Sequence, residues 1–138
     1  NIGYCIGCEA CHQNNGVCVQ KDDMAAILGK MIAADVIVMA TPLYYWNMSG
    51  QIRTAIDRLF ALEEGDGNLL RGHDRACALL MAAEGHGFED VTLYFDHLME
   101  HLRWKNLGHV LAGGNGDVGD IKGKPEIRAA YDLGKSIQ

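Results

Sequence analysis

Four of the five cysteines stand at Cys5, Cys8, Cys11 and Cys18, a C-x2-C-x2-C-x6-C string inside the first 18 residues. Three thiolates at that spacing can turn inward around one cubic cluster, and a fourth slightly further on completes four-thiolate ligation of iron. Zinc competes for the same donors, although structural zinc sites usually take two separated ligand pairs rather than a triplet plus one. Reduced or redox-active thiols on a surface loop are the third reading. The odd total and the tight spacing fit a metal site better than a disulfide framework. His12, beside Cys11, reads as polar surface before it reads as a zinc ligand. Cys77 lies within an apolar run and reads as a small hydrophobe.

A second segment with chemical character is Thr41-Pro-Leu-Tyr-Tyr-Trp-Asn-Met-Ser-Gly50. Tyr44, Tyr45 and Trp46 offer stacking faces, while Asn47, Ser49 and the backbone offer hydrogen bonds. A flat heteroaromatic ligand needs that mixture. The blander reading is that the aromatics cap a sheet, but three in a row exceed what capping needs. Two further loops are rich in glycine: Glu84-Gly85-His86-Gly87 and Gly113-Gly114-Asn115-Gly116. His86 is the histidine on such a loop, whereas His73, His97, His101 and His109 show no ligand spacing with a carboxylate. Asp57-Arg58 reads as an ion pair on a helix surface or terminus. No Ser–His–Asp arrangement, Walker loop or specific carboxylate pair is present.

These loops need a scaffold, and the hydrophobic pattern supplies one. Asp22 or Asp23 can cap a helix carrying Met24, Ile27, Leu28, Met31 and Ile32 on one face. Residues 35–41 form a β-branched apolar run without alternation, which reads as a strand buried on both faces. Pro42 is expected to stop it. Ser49 can cap a second helix with Ile52, Ala55, Ile56, Leu59 and Phe60 aligned, broken by Gly65, Gly67 and Asn68. Residues 76–83 predict a second buried strand, and Val91, Phe95, Leu98, Met99 and Leu102 a third helix. Residues 107–112 predict a third strand, and Pro125 opens a fourth helix through Ile127, Ala130 and Tyr131.

Strand–helix alternation with buried strands predicts an α/β domain, a parallel sheet with helices on both faces. Ligands then bind beyond the carboxyl ends of the strands, where all three loops fall. Three strands are few for this architecture, and none carries the charges or prolines that protect an open edge. Further strands are therefore expected ahead of residue 1.

Composition narrows the function. The 138 residues are 49% hydrophobic and 22% charged, which fits one globular domain spanning residues 1–138 with residues 5–18 as a cysteine-rich loop. A formal charge of −6 argues against nucleic acid as the main partner. No apolar run approaches the roughly 18 residues of a membrane helix, and nothing marks secretion, so a cytoplasmic protein is expected.

The cysteine string, Asp22-Asp23-Met24, the strand ending Thr41-Pro42-Leu43-Tyr44-Tyr45, then Asn47-Met48-Ser49-Gly50 and Ile56-Asp57-Arg58 together resemble the iron–sulfur flavoprotein branch of the NAD(P)H-dependent FMN reductases. The resemblance implies a flavodoxin-like three-layer α/β/α fold, with three of its five strands in this chain. It implies that Pro42, Leu43, Tyr44, Tyr45, Trp46, Asn47, Met48 and Ser49 face the FMN ring. Glu84, Gly85, His86 and Gly87 would form a second flavin loop, and Cys5, Cys8, Cys11 and Cys18 would hold a [4Fe–4S] cluster. Family members start with a strand and a phosphate-binding loop that are not found here. Either the sequence is a fragment of a longer chain, or phosphate anchoring is lost.

The implied function is an FMN-dependent oxidoreductase. It would take electrons from NAD(P)H or a ferredoxin-like donor and pass them to a quinone, flavin or similar acceptor, with no catalytic acid or base of its own. A redox relay or thiol/cluster sensor without turnover is the alternative, and a small zinc-stabilised interaction domain ranks last. A homodimer or homotetramer is expected, because flavin sites of this superfamily often lie at subunit interfaces.

Overall fold

The computed structural model describes residues 1–64 and 67–137. In chain order the elements are α1 (Ala10–Gln13), α2 (Met24–Ala33), β1 (Val36–Tyr44), β2 (Asn47–Met48), α3 (Gly50–Asp57), α4 (Phe60–Glu63), β3 (Ala76–Ala82), α5 (Glu89–Leu102), β4 (Lys105–Ala112) and α6 (Pro125–Ser136). The sheet order is β2-β1-β3-β4. The three long strands run parallel, with Val36 opposite Ala76 and Ala76 opposite Lys105. Only the central β3, Ala-Cys-Ala-Leu-Leu-Met-Ala, is buried along most of its length, and β1 and β4 on either side of it are half-exposed.

One face of the sheet carries the core. Met39 of β1 and Cys77, Leu79 and Met81 of β3 meet Met24 and Leu28 of α2, Leu62 of α4, and Val91, Phe95 and Met99 of α5. The helical residues recur at three- and four-residue spacing, so each helix buries a single stripe. Against the other face lies α6, whose Ile127 and Ala130 border an open cavity of about 600 Å³ over Ala40, Leu80 and Val110.

Several expectations need correction. β1 is not buried on both faces: Val38 is 48% exposed. Pro42 does not stop the strand, which continues to Tyr44 with Pro42 opposite Ala82. On its other side, among the described residues, β1 pairs with the two-residue β2 at Leu43 and Tyr44. Pro42 lies outside the β1–β2 register, so its missing N–H costs no bond to β2. The expected second helix is two pieces, since Arg58 N–H donates to Ala55 O at 3.2 Å and Leu59 N–H to Ile56 O at 2.9 Å, a tightening that ends α3. Phe60 faces outward rather than joining the apolar stripe, its ring edge-on to His12. The break expected at Gly65 lies outside the described residues. Ser49 and Asp23 stand at N-cap positions without a side-chain cap bond, and of the two aspartates expected to cap α2 it is Asp22 that does so. Asp22 Oδ1 accepts the Met24 N–H at 3.0 Å.

Candidate functional site

The aromatic segment folds as a tight hairpin. Tyr44 pairs with Asn47, and the two residues between them, Tyr45 and Trp46, have φ of 47° and 61°. Left-handed backbone at both turn positions matches the right-handed twist of the flanking strands, but it normally recruits Gly, Asn or Asp. Two aromatics held there carry strain, and such strain gathers at functional sites. Tyr45 is 93% exposed, with Tyr44 and Trp46 each at 60%. The hairpin is anchored below by Ser49, whose N–H donates to Thr41 Oγ1 at 3.0 Å, and by Met48, which is buried in the core.

The other two strand-end loops interlock beside it. A side-chain carbon built on Gly87 would stand 3.3 Å from the Trp46 indole nitrogen, so the indole packs on bare backbone. A carbon built on Gly113 would sit 2.2 Å from His86 Nδ1 and 2.8 Å from the Gly85 carbonyl oxygen. Only glycine fits there. Gly114 N–H donates to Glu84 O at 3.0 Å and Asn115 N–H to Ala83 O at 2.9 Å. Pro42, Leu43, Tyr44, Tyr45, Trp46, Asn47, Met48 and Ser49 thus lie at the same end of the sheet as Glu84, Gly85, His86 and Gly87, with Trp46 against Gly87, although Met48 and Ser49 are buried beneath it.

Lys124 escaped the sequence reading, and Asn115 was read there without a role of its own. Lys124 donates from Nζ to the carbonyls of Gly113 and Gly114, at 2.8 and 2.7 Å, and fixes the third loop. Asn115 donates to Ala112 O at 2.7 Å and Gly113 O at 3.0 Å, while its Oδ1 is buried without a hydrogen-bond partner. Lys124 gave no signal, being one of several lysines beside a glycine-rich stretch. Asn115 was visible as part of a strand-end loop.

The cysteines form a separate site. Cys5, Cys8, Cys11 and Cys18 all line one small cavity, together with Arg58, Phe60 and Ala61. All four are free thiols; Cys5 and Cys8 are exposed, Cys11 and Cys18 half-buried. Burial, and then the negative charges of Glu64 and Cys18, push the Cys11 thiol up, against backbone N–H donors that pull it down. Among the described residues no three Cys, His, Asp or Glu side chains are gathered closely enough to hold a single metal ion. Four soft sulfur donors on one wall fit an iron–sulfur cluster better than a hard cation. His12 is turned away to an ion pair with Glu64.

Arg58 overturns the expectation of a surface pair with Asp57. Asp57 faces Arg53 at 3.8 Å, whereas the Arg58 side chain is 1% exposed and bound to Asp22. Its Nη1 donates to Asp22 Oδ2 at 2.8 Å and Gly3 O at 2.7 Å, and Nη2 to Asp22 Oδ1 at 3.2 Å. The signal was available: Ala55, Arg58, Leu59 and Leu62 fall at i, i+3, i+4 and i+7, which puts the arginine on the apolar stripe.

Comparison with known proteins follows the same lines. The family model for NADPH-dependent FMN reductase matches residues 3–117. The chain belongs to that family. An iron–sulfur flavoprotein of Archaeoglobus fulgidus is 31% identical over 138 residues, covering 99% of this chain and 59% of that protein. Another from Methanosarcina thermophila is 31% identical over 124 residues, 90% of this chain and 61% of its own length. The chain thus spans about three fifths of these two relatives. Among solved structures, an FMN-dependent NADH-azoreductase from Bacillus anthracis in complex with FMN superposes with a TM-score of 0.67 at 14% identity, over 100% of this chain and 77% of that one. A flavone reductase gives 0.65 at 18% identity, over 91% and 48%. The fold of this FMN reductase family member is accordingly flavodoxin-like α/β. None of its described helices is long and apolar enough to cross a membrane.

Proposed function

We propose that the chain is the ring-binding and cysteine-bearing part of an FMN-dependent NAD(P)H oxidoreductase. The observation that carries this reading is the convergence of the strained Tyr45–Trp46 turn with the His86 and Gly113 loops at the carboxyl ends of the parallel strands. When bound there, FMN would supply the two-electron chemistry that the side chains lack. Tyr44, Tyr45 and Trp46 would stack against the ring and limit its exposure to water. Backbone N–H groups in the Glu84–Gly87 loop would donate to the ring edge. Cys5, Cys8, Cys11 and Cys18 would hold a [4Fe–4S] cluster through their thiolates.

Membership of the NADPH-dependent FMN reductase family and the names of the archaeal relatives support both cofactors. On this reading NAD(P)H or a ferredoxin-like protein donates, and a quinone, flavin or similar small molecule accepts. The three exposed aromatics would be covered by a second copy, making a homodimer or homotetramer. Five unpaired cysteines fit the reducing cytoplasm.

The test is anaerobic purification of the full polypeptide from its source, followed by flavin absorbance, iron and acid-labile sulfide analysis, and NAD(P)H oxidation with quinone or flavin acceptors. Flavin bound in equal amount to protein and steady turnover are expected. Bound flavin without turnover would favour the relay alternative, and a colourless protein that stays colourless after FMN addition would sink the proposal.

A further inference from the structure

We propose that Arg58 is a positioning residue for the cysteine site, a fixed positive charge that makes a cluster held by Cys5, Cys8, Cys11 and Cys18 easier to reduce. The inference rests on the four-cysteine cluster proposed above and goes beyond it, since it concerns a residue that ligates nothing.

Three observations meet at this side chain. Arg58 lines the cavity shared by all four cysteines, and shares a second cavity wall with Cys18. Its guanidinium is immobilised from one side by Asp22 and the Gly3 carbonyl, through contacts of 2.7, 2.8 and 3.2 Å. Its Nε is buried and has no hydrogen-bond partner, which is costly for a charged group and leaves a donor unused. Asp22 favours the charged guanidinium against the cost of burial, and Cys18 adds to that preference. A sulfur carrying cluster charge is the acceptor chemistry that the vacant Nε donor lacks.

The physics sets the sign. Reduction places one electron on the cluster, supplied in turnover by reduced flavin, with no bond broken. A nearby positive charge favours the reduced state, and hydrogen bonds to ligand sulfur act in the same direction. Asp22 lies on the guanidinium and offsets part of its charge. Removing Arg58 and removing Asp22 therefore shift the potential in opposite directions, although both break the same ion pair. A purely structural role for the pair would shift both in the same direction or neither.

The experiment is a redox titration of the cluster, followed by electron paramagnetic resonance, in the anaerobically purified full-length protein and its Arg58→Gln, Arg58→Lys and Asp22→Asn variants. Dithionite with mediators supplies the electron. In Arg58→Gln the reduced-to-oxidised ratio at a fixed solution potential should fall about tenfold, a downward shift of about 59 mV for one electron. Asp22→Asn should move it upward, and Arg58→Lys should restore most of the wild-type value. Should Arg58→Gln fail to fold or load, the other two variants decide: an Asp22→Asn potential that is unchanged or lower overturns the proposal. Equal potentials in loaded wild type and Arg58→Gln overturn it alone. Wild type free of acid-labile sulfide removes the cluster reading itself, and this inference with it.

Discussion

Arg58 reaches back 36 residues along the chain to hold both carboxylate oxygens of Asp22, and in doing so ties the cysteine-bearing segment to the joint between α3 and α4. The Arg58 guanidinium foremost, then the Gly3 N–H, hold the Asp22 carboxyl well below the usual carboxylate range. A group depressed on folding contributes stability that is full above its unfolded value, about pH 4, and is lost as pH falls toward the folded one. Urea unfolding midpoints should therefore drop from about pH 5 downward. Asp22→Asn should start lower at neutral pH and lose part of that slope; an unchanged acid slope would show that the pair contributes nothing.

Gly113→Ala should disorganise the strand-end loops. The new carbon has no room beside His86 Nδ1 at 2.2 Å or the Gly85 carbonyl oxygen at 2.8 Å. Displacement of a ring-facing loop should weaken FMN binding at least about tenfold, equivalent to about 1.4 kcal/mol. Fluorescence quenching of FMN on titration with protein measures it, and wild-type affinity in the variant would refute the assigned contact.

Tyr45→Asn should separate stability from binding. Tyr45 is 93% exposed at a φ of 47°, so the substitution loses little packing and places a tolerant residue in left-handed backbone. The melting temperature should rise, by an amount equivalent to about 1 kcal/mol, while FMN affinity falls. Lower stability would mean that the turn is not strained.

Cys77 should resist alkylation in the folded protein. It is fully buried, and burial pushes its thiol up to about 12. Iodoacetamide on the metal-free native protein should label four cysteines by mass spectrometry, with the fifth labelled only in denaturant. Because this value is raised on folding, its stability contribution is present below the unfolded value and lost above it. Stability should fall by up to about 1.4 kcal/mol per pH unit above about pH 9.

Gly29→Ala should be a gain. Nothing lies within 4 Å of the added carbon, and Gly29 is exposed on α2. Replacing a mid-helix glycine recovers about 0.5–1 kcal/mol of stability, readable as a shift in the urea midpoint. A loss would place an unrecognised contact on that helix face.

The sequence by itself determined the alternation of elements, because a helix that buries one stripe and an extended strand impose different periods on the apolar residues. Met24 and Leu28, or Val91, Phe95 and Met99, can be read as core faces without coordinates. It also determined which residue types gather at the carboxyl ends of the strands, and that four thiols lie within one short segment. Tertiary structure alone decided the rest. Local pattern assigns Pro42 the role of a stop, and only the register with β3, where Pro42 stands opposite Ala82, shows the strand running through it to Tyr44. Asp57 is the sequence neighbour of Arg58, yet a buried guanidinium takes the partner that folding delivers, here Asp22 at 2.8 Å. The contact between His86 and Gly113 likewise joins loops 27 residues apart, with no periodic signal to announce it. Periodicity records which face of an element is buried; it carries no information about which distant backbone or charge will lie against that face.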